Sequence, residues 1–411
     1  MNFDACHFNL TAAKEDGATD EGVSSPSKLD YQQSMKDNLL NDQSSKILAF
    51  KQKAPKPREG FQNNLKVLYT HNKAVTSAVK KPTRHISQTP DRILDAPELR
   101  ADFYLNLIDW SSTNQIAVAL GETVYLWNAG NGSISELCNL DSPDNYVSSV
   151  SWLADGSYLA VGTADAQVQI WDVSAQKKVR TMTGHQGRIA AMDWNEHLLT
   201  SGSKTGVIFN SDVRVQDHCV SQLRGHSQEV CGLKWSPDGR LLASGGNDNL
   251  VNIWQADGRN AHCLTQHQAA VKALAWCPWQ SNLLATGGGT ADRTMRFWNT
   301  TTGACVNSVD TKSQVCSLLW NKEHREIISG HGFSQNQLTI WKYPTLSKVT
   351  ELTGHSQRVL SMAMSPDCST VVSAAGDETL RFWKCFASDG KKKSKKPAEG
   401  PSRSRLGGMI R

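Results

Sequence analysis

Leu241-Leu-Ala-Ser-Gly-Gly-Asn-Asp-Asn-Leu-Val-Asn-Ile-Trp254, with Gly225-His226 ahead of it, reads as strand, tight turn, strand. Leu241, Leu242 and Ala243 run apolar into a Gly-Gly-Asn-Asp turn, and Leu250 to Trp254 alternates towards a terminal tryptophan. The same pattern recurs. Strand-ending tryptophans stand at 127, 171, 254, 298, 341 and 383, each 42 to 44 residues from the next except for a gap of 83 between Trp171 and Trp254. Ile208-Phe-Asn-Ser-Asp212 fills that gap, with Ser211 at the tryptophan position, so the units number seven.

A period of this length, four short strands per unit and Gly-His and Trp-Asp-type signatures mark an all-β chain, a seven-bladed WD-repeat β-propeller. Closing the ring leaves few free sheet edges to aggregate. An aspartate precedes the closing tryptophan by six residues in four units: Asp165, Asp248, Asp292 and Asp377. The expected role is to cap the turn between the second and third strands and to hold the histidine of the preceding Gly-His. Full sets are expected at His226, Ser244, Asp248 and Trp254, and at His355, Ser373, Asp377 and Trp383. They resemble hydrolase triads superficially, but they repeat once per blade and point inward, which assigns them to structure. After Trp383 the last unit lacks a fourth strand, and His85-Ile86 or Arg92-Ile-Leu94 is the expected donor, joining the two ends of the ring.

The 411 residues carry a net charge of +5 with both signs interspersed, which argues against a nucleic-acid groove. Ten scattered cysteines include no C-x-x-C pair, so neither a metal site nor a disulfide framework is expected. No signal peptide or bilayer-length apolar run is visible, so no membrane contact is expected and the sequons at Asn131 and Asn299 carry no meaning. No phosphate loop or nucleophile elbow appears, which points away from an enzyme and from any cofactor.

Three segments are expected: a largely disordered regulatory arm over 1–83, the propeller with its closing strand over 84–387, and a flexible basic tail over 388–411. Within the arm, Lys46-Ile-Leu-Ala-Phe50 is an apolar island able to add a strand to a partner's sheet, and Phe61 to Tyr69 could become helical on a partner. Ser25-Pro26 and Thr89-Pro90 match the minimal site of proline-directed kinases. Lys391-Lys-Lys-Ser-Lys-Lys396 is compatible with nuclear import. The chain stops at Ile410-Arg411, whose apolar side chain, guanidinium and carboxylate suit an acidic and apolar groove.

Lys46-Ile-Leu48, Pro90-Asp-Arg-Ile-Leu-Asp-Ala-Pro97, Tyr104 to Trp110, Gly225 to Gly232, Trp276-Cys-Pro-Trp279, Ser329 to Phe333 and Ile410-Arg411 together resemble the Fizzy (cell-division-cycle 20) family, coactivators of the anaphase-promoting complex. The resemblance implies a degron receptor that brings cyclins, securin and similar substrates to a ubiquitin ligase in mitosis. It also implies restraint by spindle-checkpoint proteins through Lys46, Ile47, Leu48 and Phe50, and docking of Ile410 and Arg411 on a tetratricopeptide-repeat subunit. Nuclear and cytoplasmic residence is implied, with a kinetochore or spindle pool in mitosis. By the same resemblance, Asp109 is expected beside the slot between blades 1 and 7 that takes the arginine and leucine of a destruction box. Asn247, Asn249, Thr290, Gln335 and Arg381 are expected to grip a Lys-Glu-Asn degron. The family's C-box has no counterpart in these residues, Lys14-Glu15-Asp16 stands where Lys-Glu-Asn would be, and Cys-Arg-Tyr reads Thr83-Arg84-His85. The alternative reading is therefore a truncated or divergent scaffold that binds checkpoint proteins without activating the ligase.

Overall fold

The computed structural model describes residues 84–386, apart from 141 and 143. Every regular element among them is a strand, arranged as seven four-stranded antiparallel sheets. Blades 1 to 6 use consecutive strands over 108–139, 147–182, 189–224, 230–264, 271–310 and 315–352. Blade 7 takes three strands from 359–383, and its outermost is Arg92–Asp95, antiparallel to Thr379–Trp383 with Ile93 opposite Arg381. Of the two expected donors, Arg92-Ile-Leu94 forms the closing strand. His85-Ile86 does not pair, but Ile86 packs on the core beneath blades 6 and 7. Beside it the Arg84 guanidinium pairs with Glu326 of blade 6 at 2.6 Å and lies 5.2 Å from the Phe386 ring centre.

The alternation of Leu241 to Trp254 becomes register. Leu242 faces Trp254 across the hairpin and Ala243 faces Ile253, all four buried between neighbouring blades. Asn249 bends the turn in the left-handed region at φ 66°, which asparagine tolerates better than most residues.

In blade 4 the Trp254 indole N–H donates to Ser244 Oγ at 2.8 Å, Ser244 meets His226 Nε2 at 2.8 Å, and His226 Nδ1 meets Asp248 at 3.0 Å. The Asp248 carboxylate also accepts the Ser227 N–H. Blade 7 repeats the set with His355, Ser373, Asp377 and Trp383. Blade 5 completes a third around Asp292, with Thr286 as the hydroxyl between His267 and Trp298. In blade 2, Asp165 takes the Thr163 hydroxyl and Trp171 turns to Gln169, so no histidine enters.

A second tryptophan series, on the inner strands, ties blades 2, 3, 5 and 6 to the blade before. The indoles of Trp152, Trp194, Trp276 and Trp320 donate to the carbonyls of Asp109, Ser151, Lys234 and Ala275, respectively.

Candidate functional site

Two of the ring's recesses bear on function. The first is its mouth, a cavity of about 860 Å³ on the face that carries the Asn247–Asn249 turn. Its floor is the approach to blade 1. Asn106 Nδ2 donates to the carbonyls of Ala190 in blade 3 and Cys231 in blade 4, at 2.7 and 3.1 Å. From the other side Lys272, buried in blade 5, donates to Leu105 O and Leu360 O, both at 2.7 Å. Burial pushes the Lys272 ammonium down to about 8. Its two carbonyl bonds stitch the floor to blade 7.

The rim is polar. Arg188 grips the Glu229 carboxylate with two nitrogens, at 2.7 and 2.9 Å, and Asp102 with a third at 2.7 Å. The Tyr104 hydroxyl donates to Asn247 Oδ1 at 2.8 Å, and Arg358 donates to Ala101 O at 2.6 Å. Opposite, the Thr290 hydroxyl donates to Gln314 Oε1 at 2.6 Å. Gln314 Nε2 is itself buried beneath the rim.

Asn247, Asn249 and Thr290 line this cavity as expected from the resemblance, whereas Gln335 and Arg381 do not. Gln335 stands exposed on the blade 6 turn. Arg381 lies within a blade 7 strand, and its guanidinium is turned to Thr379 and Asp377. The amide and guanidinium of the rim come instead from Gln314 and Arg358. A positional signal could have found them. The residue just before the inner strand of blades 2 to 7 is Tyr146, Arg188, Glu229, Ala270, Gln314 or Arg358, and each of these lines the cavity or bonds within its rim network.

The second recess, about 490 Å³, lies at the seam where the closing strand of blade 7 meets blade 1. Leu94, Val118, Leu120, Trp127 and Leu380 make it apolar, and Asp95 and Glu98 add exposed carboxylates. Asp109 is not among its residues, which corrects the expectation. Asp109 sits on the inner strand Ile108–Trp110, facing blade 2 rather than blade 7, and its oxygens accept the N–H groups of Trp110 and Trp152 at 2.9 and 2.8 Å. Burial raises its carboxyl above the usual range, against the pull of Lys234 and of those two N–H groups. Asp193 accepts the Trp235 N–H in the same way between blades 3 and 4, at 2.7 Å. Asp109 is thus an interblade staple, and the seam's charge comes from Asp95 and Glu98.

Thr89 is exposed, with its hydroxyl 3.0 Å from that of Ser87. Ser25, Lys46, Ile47, Leu48, Phe50, Ile410 and Arg411 lie outside the described residues. Among the described residues, no group of three or more His, Cys, Asp or Glu could hold a metal ion.

Residues 94–383 match the family model "CDC20/Fizzy WD40 domain". The chain belongs to the CDC20/Fizzy family. It is 54% identical over 398 residues to the anaphase-promoting complex subunit cdc20 of Dictyostelium discoideum, covering 92% of this chain and 80% of that one. It is 52% identical to "Cell division cycle 20.1, cofactor of APC complex" of Arabidopsis thaliana, over 94% and 85% of the two chains. Among solved structures, a chain of "Crystal Structure of Mitotic Checkpoint Complex" superposes with a TM-score of 0.73 at 48% identity, covering 84% of this chain and 99% of that one.

Proposed function

We propose that this chain is a substrate adaptor and activator of the anaphase-promoting complex in mitosis, restrained by spindle-checkpoint proteins. The observation that carries the reading is the pairing of two separate recesses with opposite chemistry on one rigid ring. The seam joins an apolar pocket to the carboxylates of Asp95 and Glu98, which suits the leucine and arginine of a destruction box. The mouth converges amides, a hydroxyl and a guanidinium on a cavity that fits a short polar Lys-Glu-Asn segment. Names borne by the relatives, a cofactor of APC and a mitotic checkpoint complex, support the ligase and the checkpoint as partners. Adaptor rather than enzyme is the matching role, with cyclins and securin as substrates. The Ile410-Arg411 tail would dock on a tetratricopeptide-repeat subunit, Lys46 to Phe50 would bind a checkpoint protein, and the protein would work in nucleus and cytoplasm, at kinetochores or spindle in mitosis. Holding substrate at one site and ligase at another raises local substrate concentration without new chemistry.

The test is binding of a labelled Arg-x-x-Leu peptide to the whole chain, paired with stimulation of ubiquitination by the added protein. Asp95→Lys with Glu98→Lys is expected to weaken the peptide by at least about tenfold, roughly 1.4 kcal/mol. Deleting Ile410-Arg411 is expected to abolish stimulation. Unchanged peptide affinity in the double variant would remove the seam from the reading. Full stimulation without the tail would remove the docking role.

A further inference from the structure

The cleft between blades 7 and 1 does not end at the apolar recess of the seam. Beyond it, away from Asp95 and Glu98, lies a further recess of about 470 Å³, walled by Arg92, Trp110, Trp127, Phe382 and Lys384 among others. Three strands run through both. The closing strand Arg92–Asp95 gives Leu94 to the first recess and Arg92 to the second, and Thr379–Trp383 gives Leu380 and then Phe382. Thr123–Asn128 gives Tyr125 to the first and Trp127 to both. Residues two apart on a strand face the same way, so the two recesses are stretches of one cleft that meet at Trp127.

At that meeting point two hydrogen-bond donors are idle. Trp127 ends the third strand of its blade, as Trp171, Trp254, Trp298, Trp341 and Trp383 end theirs. Those five indoles donate to Gln169, Ser244, Thr286, Ser329 and Ser373. Blade 1 places Val118 where blade 4 places Ser244, and the Trp127 N–H has no acceptor among the described residues. Nor is that nitrogen one of the fully buried atoms left without a partner, so it is reached from the surface that Trp127 borders, which is this cleft.

The second donor is Arg92. It is exposed, its guanidinium lies 5.3 Å from the Trp127 ring centre, and no carboxylate among the described residues pairs with it. The charges around it are engaged: Lys384 holds Asp91 at 2.9 Å, and Asp367 takes the hydroxyls of Ser365 and Ser369. A guanidinium and an indole N–H beside an aromatic wall suit a carboxylate on a short aliphatic stem.

The cleft also sets what brings that carboxylate. A destruction box with its arginine at Asp95 and Glu98 and its leucine against Leu94 and Leu380 points its next residues at Trp127. Leu94 and Arg92 are two residues apart, about 6.6 Å along a strand, so an extended peptide carries the side chain two places after the leucine to Arg92.

We propose that Arg92 and Trp127 Nε1 form an acid-selective subsite that receives Asp or Glu at the second position after the leucine of a destruction-box peptide. The proposal rests on the seam being the destruction-box site and adds a preference that Arg-x-x-Leu does not contain.

The probes are labelled Arg-x-x-Leu peptides in an Ala/Ser background, with one Glu or one Gln at each of the four positions after the leucine, bound to the full chain and read by anisotropy. At the second position Glu is expected to bind about fivefold tighter than Gln, somewhat under the tenfold that 1.4 kcal/mol gives. In Arg92→Gln the two peptides are expected to bind alike, within about twofold, and in Arg92→Glu a lysine there should be preferred, the signature of a direct pair in a double-mutant cycle. An undiminished Glu preference in Arg92→Gln overturns the subsite and leaves the seam reading standing. So does an equal preference at all four positions, or none at the second, while the Gln peptides bind. Failure of every peptide to bind the native chain overturns both. The pairing of residue 92 with Phe382 is made by backbone, so the melting temperature of both variants should hold, and a melting curve checks this.

Discussion

Blades 3 and 4 are neighbours built on the same plan, and one of them has lost half of its internal wiring. Blade 4 runs Trp254, Ser244, His226 and Asp248 in one unbroken series of hydrogen bonds. Blade 3 keeps the hydroxyl and the histidine, Ser201 and His185, 2.8 Å apart. Thr205 stands in place of the aspartate and Ser211 in place of the tryptophan. His185 Nδ1 is left buried without a partner, and burial, with His218 adding to it, pushes that imidazole down to about 4. Other contacts carry the load. Phe209 stacks on the His185 ring at 4.1 Å, Asn210 takes the Thr200 hydroxyl at 2.6 Å, and the Trp235 indole of blade 4 reaches across to Thr200 at 2.9 Å. The ring tolerates this because each blade is clamped between two others, so one weak unit does not open an edge.

If that account is right, the same change should cost very different amounts in the two blades. Trp254→Ala removes a buried indole and strands Ser244, and it should destabilise by about 3–5 kcal/mol in urea denaturation. Ser211→Ala, at the equivalent site, should cost under about 1 kcal/mol, because its contact with His218 is long at 3.2 Å. Equal losses would mean that the tetrad is decoration. One step down, Asp248→Ala should cost about 1–3 kcal/mol, since it leaves His226 buried and Ser227 N–H without its acceptor. Thr205→Ala, exposed and bonded only to Ser203, should stay within about 0.5 kcal/mol.

The contrast also shows why some features could be read from the chain and others could not. Blade number, the degenerate third blade and the missing fourth strand of blade 7 were legible because a hydrophobic period and its closing tryptophans are local signals. The third tetrad was hidden because Gln266 replaces the glycine before His267 and Thr286 replaces serine while offering the same hydroxyl. Site residues were harder. Asp109 and Asp95 lie in similar-looking strings, and only the three-dimensional path shows that one staples two blades while the other lies on the closing strand at the seam. Gln335 lies on a turn whose path no local pattern fixes, and Arg381 lies on a strand whose register must be known first. A strand turns alternate side chains to opposite faces, so a residue's chemistry says nothing of which way it points until register is known. Gln314 and Arg358 are legible in hindsight from their place just ahead of an inner strand.

The smallest expected effect is the sharpest test of the comparison, because it tries to repair blade 3 rather than damage blade 4. An ordinary histidine titrates near 6.5, whereas folded His185 is held to about 4. The unfolded chain therefore takes up this proton first as the pH falls. Stability owed to neutral His185 is complete above about pH 6.5 and is lost progressively down to about pH 4, where the folded state can be protonated as well. Thr205→Asp would set a carboxylate where Asp248 stands in blade 4, opposite the empty Nδ1. It should raise the imidazole's titration point, followed by NMR of the His185 ring protons, and flatten the fall in melting temperature between neutral pH and pH 5. At neutral pH the gain should be about 0.5–1.5 kcal/mol, the worth of one added hydrogen bond. If the His185 titration stays where it is, the turn of blade 3 does not bring position 205 within reach, and blade 3 differs from blade 4 in backbone as well as in side chains.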